Sequence, residues 1–461
     1  MKLTEKFFSK RPSNDKSIFV VISEGERLGL FALTFPILFE SVMSFLLGTV
    51  NTFMLSKISD VSVSASGSAN TAINIVLLFF SVVTNGSTVI ICNFIGAKQK
   101  KSVEETIFPS IFLILAFSIV ITPFLVIFAP QFMGILNLKG EILREAIIYF
   151  RIRMAFVSVP AILSEILALL RCFGFVKYTF IIGLITNAVN LLLNILVVYF
   201  PSYLPISGIS GVAASSVAAN FCGVILSAAV FVKKKIKMSL PPFKKMLSQI
   251  GLMLKIGLPS GISSATFSIS QLLTTSFVAP LGDHVLAAKI YFSTILQFSY
   301  LFSRSTGSAI SLLVGRLYGS CEMNRADKLC RATAKINLAV NFSVSFLLFL
   351  LRIKLLSLYT DEKLILEMST AVFAVDMLAE LARAIGHVYE FALKSVRDVF
   401  LPLAVLVFSG IIFGLGSAYV FAIPLGMGIF GCYVGTVIDE LVRAVFTLSR
   451  WRDKMSFFNK A

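Results

Sequence analysis

Twelve times along this chain, about twenty mostly apolar residues follow one another almost without charge. The hydrocarbon core of a bilayer is about 30 Å thick and an α-helix rises 1.5 Å per residue, so each run is long enough to span. The windows are residues 29–53, 68–93, 107–129, 146–170, 178–200 and 209–232, then 255–279, 285–314, 335–357, 364–393, 399–422 and 427–449. Their apolar residues are continuous rather than alternating, which excludes barrel strands and leaves helices. Inside lipid a helix is also the segment that satisfies its own backbone hydrogen bonds. Soluble domains carry about a quarter charged residues; here 14% are charged and 57% hydrophobic. The expected fold class is all-α: a polytopic membrane protein of about twelve transmembrane helices in two pseudo-symmetric six-helix lobes.

A formal net charge of +17 raises the possibility of a nucleic-acid partner, and its distribution argues against one. The basic residues form no single patch and are not interleaved with stacking aromatics. They fall in short connectors at alternate ends of the runs, about 28 on one side against about 7 on the other. That bias predicts a multi-pass protein of the plasma (cytoplasmic or inner) membrane with both termini in the cytoplasm, and membrane lipid as the partner of its basic connectors. The six cysteines show no C-x-x-C spacing, so no metal site is indicated. No apolar core precedes Ile18 and no small-residue cleavage site follows, so the first span is expected to act as the targeting signal.

The densest basic stretch, Lys233-Lys234-Lys235-Ile236-Lys237 through Pro241-Pro242 to Lys245, lies midway. It divides the chain into a cytoplasmic N-terminal segment (1–28), an N-lobe (29–232), a basic cytoplasmic linker (233–254), a C-lobe (255–449) and a cytoplasmic tail (450–461). The halves look alike. Leu33-Thr34-Phe35-Pro36 opens span one and Gly257-Leu258-Pro259 opens span seven; Phe94-Ile95-Gly96-Ala97-Lys98 ends span two and Leu313-Val314-Gly315-Arg316 ends span eight. Such parallel repeats place a substrate site at the interface between halves.

These residues, with Val50-Asn51-Thr52, Gly86-Ser87-Thr88, Leu170-Arg171-Cys172-Phe173-Gly174, Asn190, Asn194 and Gly208-Ile209-Ser210-Gly211-Val212-Ala213, resemble the MATE (multidrug and toxic compound extrusion) transporters from about residue 27 to 452. Glu380-Leu381-Ala382-Arg383-Ala384 and Asp439-Glu440-Leu441-Val442-Arg443 resemble one bacterial branch. The resemblance implies a secondary active exporter of organic cations and drug-like compounds, working by alternating access as an antiporter on a Na⁺ or H⁺ gradient. It also exposes a departure. Many members carry Asp where Asn51 stands, and some where Asn194 stands. An amide neither exchanges a proton near neutral pH nor offers Na⁺ a charge.

Ionisable groups inside spans are costly and therefore candidates for function. In span ten, Asp376, Glu380, Arg383, His387, Glu390 and Lys394 follow at steps of four and three, which puts all six on one helix face. Such a stripe lines a cavity or the packed interior. Asp376 and Glu380 are ion-coupling candidates; Arg383, one turn on, pairs with Glu380, and His387 and Glu390 continue the face. Glu40 is the third candidate, on one face of span one with Ser44, Gly48 and Asn51. His387 is either a proton relay or a neutral hydrogen-bonding partner, and His284 is expected to be solvated. Glu165 has no assigned partner. Asp439, Glu440 and Arg443 read as a pairing site for span ten. Tyr291, Tyr300 and Tyr389 are candidates to stack on flat cations.

Two histidines, no long extramembrane loop and no Walker motif argue against an enzyme or a direct ATP engine, and no selectivity-filter loop interrupts a span. No cofactor is expected beyond the coupling ion, the partners are small organic molecules, and a monomer is expected. The alternative within transporters is a flippase for lipid-linked or other anionic substrates. Arg304 and Arg383 are the deep basic residues that it would need facing a cavity.

Overall fold

The computed structural model describes residues 19–23, 26–136, 138–200 and 206–460. Most of the expected N-terminal segment 1–28 lies outside them. Every predicted span is found as a helix: α1 Leu30–Ser56, α2 Asp60–Gly96, α3 Lys100–Ile127, then a short α4 Ala129–Ile135. Span four is α5 Gly140–Ala155 with α6 Ser158–Cys172, bent by 50° at its break. α7 Val176–Tyr199, α8 Gly208–Lys233, α9 Phe243–Val278, α10 Asp283–Gly319, α11 Met323–Leu356 and α12 Lys363–Ser395 follow. Span eleven is α13 Phe400–Ser409, a π-helical turn Gly410–Gly416 and α14 Ser417–Ala422; α15 Gly428–Lys460 closes the chain.

Among the described residues, nine helices are long and apolar enough to cross a membrane, and ten with the bent pair. α12 and α15, which match spans ten and twelve, fall outside that set, and they are the two that carry the charged clusters. Three local expectations are corrected. A hairpin of two four-residue strands, β1 Val20–Ser23 and β2 Glu26–Gly29, precedes α1, where no strand was expected. α9 starts at Phe243, so the later part of segment 233–254 is helix and Gly257-Leu258-Pro259 lies inside α9 rather than opening it. The early start has partners: Lys245 is ion-paired with Glu105 and Gln249 donates to Thr106 Oγ1 at 3.1 Å.

The internal repeat is visible in how helices stop. α2, α6, α8, α10 and α12 each end in a residue with positive φ: Lys98 (56°), Gly174 (89°), Lys235 (52°), Cys321 (62°) and Arg397 (61°). Each closes its helix with the same nested pair of hydrogen bonds. At the first, Lys98 N–H donates to Ile95 C=O and Gln99 N–H to Phe94 C=O; at the last, Arg397 N–H donates to Lys394 C=O and Asp398 N–H to Leu393 C=O. This is the left-handed C-terminal cap that satisfies otherwise orphaned carbonyls. Lys98 and Cys321 are 223 residues apart, as are Gly174 and Arg397, and as are Pro36 and Pro259.

Two compact units form: Phe39–Phe94 with Gln99–Gly261, and Ile262–Ala461 with Met1–Leu38 and Ile95–Lys98. The N-terminal unit packs α8 against α5, α6 and α7, with α3 on α5 and α6. Phe80, Ile114, Met133 and Phe150 lie in its core. In the C-terminal unit α12 is central, packed on α10, α11 and α15. Phe292 meets Phe373 edge-on at 5.7 Å, an arrangement contributing about 0.5–1.5 kcal/mol beyond burial.

Candidate functional site

The polar face of α12 explains where the cavity forms. A helix with six ionisable residues on one face cannot turn that face to lipid, so neighbouring helices must enclose it. They enclose a cavity of about 450 Å³ within the C-terminal unit, a volume in the range of small-molecule sites. α9 contributes Ser270, Gln271 and Thr274; α10 contributes Lys289, Gln297, Tyr300 and Arg304; α12 contributes Asp376 and Arg383. The remaining wall is Gly410 and Gly414 of the π turn with Tyr433, Asp439, Glu440 and Arg443 of α15.

Most of these charges neutralise one another. Arg383 is ion-paired with Glu380 one turn earlier, and its Nε donates to Glu440 Oε1 at 3.0 Å. Glu380 is fully buried, while Glu440 and Arg383 are 7% and 8% exposed. The α15 cluster thus pairs with span ten, and it also lines the cavity. Asp439 holds Arg443 at 2.5 Å and accepts from Ser409 Oγ at 2.7 Å. Both sit against glycine: a Cβ on Gly414 would lie 3.3 Å from Asp439 Oδ2, and one on Gly410 would lie 3.1 Å from Arg443 Nη2. The π turn makes room for a charged pair beside the cavity, a common use of such turns. At the C-terminal end of α12, Lys394 and Glu390 are paired at 2.5 Å.

Asp376 differs. It is buried, lines the cavity, and its Oδ2 has no hydrogen-bond partner among the described residues. His387 lies with its ring 5.4 Å from that of Tyr300, its Nδ1 is likewise buried without a partner, and it is not part of the cavity lining. Arg383 lies over the Tyr300 ring at 5.4 Å, which fixes that aromatic in the wall.

The structure enlarges the basic set. Arg304 and Arg383 both line the cavity, as do Lys289 and Arg443, which sequence reasoning did not single out as deep cations. A lysine four residues after a loop reads as a helix-end residue; the length of α10 beyond it takes Lys289 inside. Of the three tyrosines proposed for stacking, Tyr300 lines the cavity. Tyr291 stacks instead on Tyr359 at 5.4 Å, and Tyr389 is buried beside Trp451. His284 is exposed, as expected, and its Nδ1 also lies 2.8 Å from Glu362.

In the N-terminal unit the singled-out polar residues contact one another or neighbouring helices. Glu40 is paired with Arg171 of α6 at 2.6 Å. Asn194 donates to Asn51 Oδ1 at 2.8 Å and to Asn190 Oδ1 at 3.2 Å, and Asn190 donates to Ser216 Oγ at 3.2 Å. The three amides the sequence pointed to are therefore brought together, as an uncharged ladder. Glu165 is fully buried and accepts from Ser87 Oγ at 2.8 Å.

Comparison with known proteins fits this architecture. The MatE family profile matches residues 36–196 and again 259–420, so one pattern recurs with its starts at Pro36 and Pro259. The chain is similar to the uncharacterized transporter YisQ of Bacillus subtilis, 28% identical over 428 residues, covering 92% of this chain and 94% of that one. It is also similar to a probable multidrug resistance protein NorM of Thermotoga maritima, 24% identical, covering 92% and 91%. Among solved structures, a Vibrio cholerae MATE transporter, VcmN, superposes with a TM-score of 0.85 at 17% identity over 93% of this chain and 96% of that one. A MOP superfamily transporter from Pyrococcus furiosus, for which a reverse-polarity binding pocket has been taken to suggest a different function, gives 0.85 at 18%, covering 94% and 96%. The two lobes with their repeated helix caps, and a family pattern matched once in each half, establish that this multi-pass membrane protein belongs to the MatE family of transporters.

Proposed function

We propose that the protein is a secondary active exporter of drug-like organic compounds bearing a cationic group, driven by antiport of Na⁺ or H⁺, with Asp376 as the coupling carboxylate. The single observation that carries the proposal is Asp376 itself: buried, lining the 450 Å³ cavity, and without an ion-pair partner among the described residues. Glu380 is engaged by Arg383 and Glu40 by Arg171, so each would have to break an ion pair before it could take an ion. Asp376 has no such pair to break. The amide ladder of Asn51, Asn190 and Asn194 offers neither a titrating group nor a charge, and the N-terminal carboxylates Glu40 and Glu165 do not line the cavity, which favours the C-terminal unit as the seat of coupling.

Antiport follows from competition. A substrate cation and a coupling ion that both neutralise Asp376 exclude one another, so ion entry releases substrate and substrate entry releases the ion. Such a coupling is reciprocal by thermodynamic necessity. Aromatic walls at Tyr300 and Tyr433 and the flexible polar side chain of Gln271 accommodate varied organic frames. The Lys and Arg distribution supports a plasma-membrane location with cytoplasmic termini. Mutation of Asp376 tests the assignment: Asp376→Asn should lose ion-driven accumulation of dye by everted vesicles, while Asp376→Glu retains part of it. Full efflux by Asp376→Asn would remove the carboxylate from the mechanism.

A second reading, a flippase for lipid-linked or other anionic substrates, is favoured by one observation: Arg304 and Arg383 both face the cavity with Lys289 and Arg443. Arg383 and Arg443 are ion-paired with carboxylates, so the cavity cations without such a partner among the described residues are Lys289 and Arg304. Scrambling of a fluorescent anionic lipid by proteoliposomes that export no dye would select this reading.

A further inference from the structure

Lys289 has no part in the antiport step at Asp376, and its surroundings give it one in binding. It is 9% exposed, on the face of α10 that lines the cavity together with Ser293, Gln297, Tyr300 and Arg304. Its ammonium donates to the Gln271 carbonyl at 3.2 Å and to Thr275 Oγ1. Both partners are neutral. No carboxylate lies within ion-pair distance of it among the described residues. An ammonium has three donors, and the protein engages two of them.

A buried charge is tolerated when it is paired, and here the protein supplies hydrogen bonds without the counter-charge. The other walls sharpen the contrast. Arg383 is neutralised by Glu380 and Glu440, and Arg443 by Asp439. Two carboxylates share the one cation of Arg383, so that triad keeps a negative charge; beyond these groups the lining holds Asp376, Lys289 and Arg304, none of them ion-paired among the described residues, with Arg304 fifteen residues beyond Lys289, about 22 Å along the helix. A simple monovalent cation in this cavity would satisfy Asp376 and be repelled by Lys289. A molecule with both charges would satisfy both.

We infer that Lys289 is an anion-anchoring subsite of the cavity, and that the preferred substrates are zwitterionic organic molecules whose carboxylate or comparable anionic group binds Lys289 while their cationic part faces Asp376. The inference rests on the export reading for its physiological meaning, and on the cavity alone for binding. The Gln271 carbonyl and Thr275 hydroxyl hold the ammonium in place, so the anion completes a site already oriented. Discrimination is then a matter of one charge-assisted hydrogen bond gained or lost.

The test uses two probes that differ at one group: a rhodamine dye with a free carboxylate and the methyl ester of the same dye. Binding to the purified full-length protein is read by fluorescence anisotropy, and export by everted vesicles. Wild type should bind the free acid about tenfold more tightly than the ester. Lys289→Met should abolish that preference by weakening the acid while ester binding persists, which also shows that the cavity is intact. Lys289→Arg should restore the preference. A wild-type protein that does not prefer the acid, or a Lys289→Met protein that weakens both dyes equally, overturns the inference. Binding preference without export of either dye would instead overturn the export reading and leave the subsite standing.

Discussion

Replacing Arg383 with methionine removes the cation that two buried carboxylates share. Glu380 is fully buried and Glu440 is 7% exposed, so neither can recover its solvation once the guanidinium is gone. Breaking a buried ion network by deleting one partner costs about 3–5 kcal/mol, because a charge is left buried and uncompensated. Spread over a unit of roughly 200 residues, at about 2–4 °C per kcal/mol, this corresponds to a fall of about 6–20 °C in thermal midpoint. Fluorescence-detected gel filtration of the detergent-solubilised protein after a temperature series reads that shift. The triple variant Glu380→Gln, Arg383→Met, Glu440→Gln removes the charges together and should recover most of the loss, since neutral replacement of a buried network is often near-neutral in stability. Arg383→Lys should fall between, because a lysine cannot reproduce the two-pronged contact to both acids. A midpoint for Arg383→Met within about 2 °C of wild type, or a triple variant no better than the single one, would refute the reasoning that this network is a structural neutralisation rather than a site held open for ions.

Three further outcomes are expected. Gly257→Leu should sharply reduce the yield of folded protein, because a side chain there meets the backbone of Val82; Gly251→Leu, where nothing lies within 4 Å of the added Cβ, serves as the tolerated control. Asn194→Leu should lower the thermal midpoint through loss of buried hydrogen bonds, about 1–3 kcal/mol for each group left unsatisfied, yet leave ion dependence of export unaltered because no charge is removed. Glu40→Gln should retain most of wild-type efflux, since glutamine still accepts from Arg171; complete loss of ion-driven export would transfer the coupling role to Glu40.

The long-range plan was legible because lipid allows so few solutions. Twelve apolar runs imply twelve helices, and each was found, since a spanning segment must satisfy its own backbone whatever its neighbours do. The repeat was legible at Pro36 and Pro259 but not at its sharper marks. Lys98 and Cys321 adopt left-handed geometry, and neither residue type advertises a helix cap as Gly174 does. The stripe on α12 could be read from spacing alone, and so could the pairing of Glu380 with Arg383. What spacing cannot supply is the partner from another helix. Glu440 on α15, Arg171 opposite Glu40 and Ser87 opposite Glu165 are tertiary facts with no local signature. Lys289 has no local signature for the same reason: α12 and α15 bring carboxylates to its cavity, yet its ammonium is held by the neutral Gln271 and Thr275 of α9, which its own segment does not reveal. The π turn had a faint signal in the glycines at 410, 414 and 416, which also suit close helix packing.

Coupling through the C-terminal unit is the central claim, and imposed gradients test it most directly. Purified protein is reconstituted in liposomes, Na⁺ and H⁺ gradients are applied separately, and uptake of a fluorescent zwitterionic dye is followed for wild type, Asp376→Asn and Asn51→Leu. One of the two gradients should drive uptake by wild type and by Asn51→Leu, and neither should drive it for Asp376→Asn. Gradient-driven uptake that survives in Asp376→Asn and disappears in Asn51→Leu would contradict the account and return the coupling site to the amide ladder of the N-terminal unit.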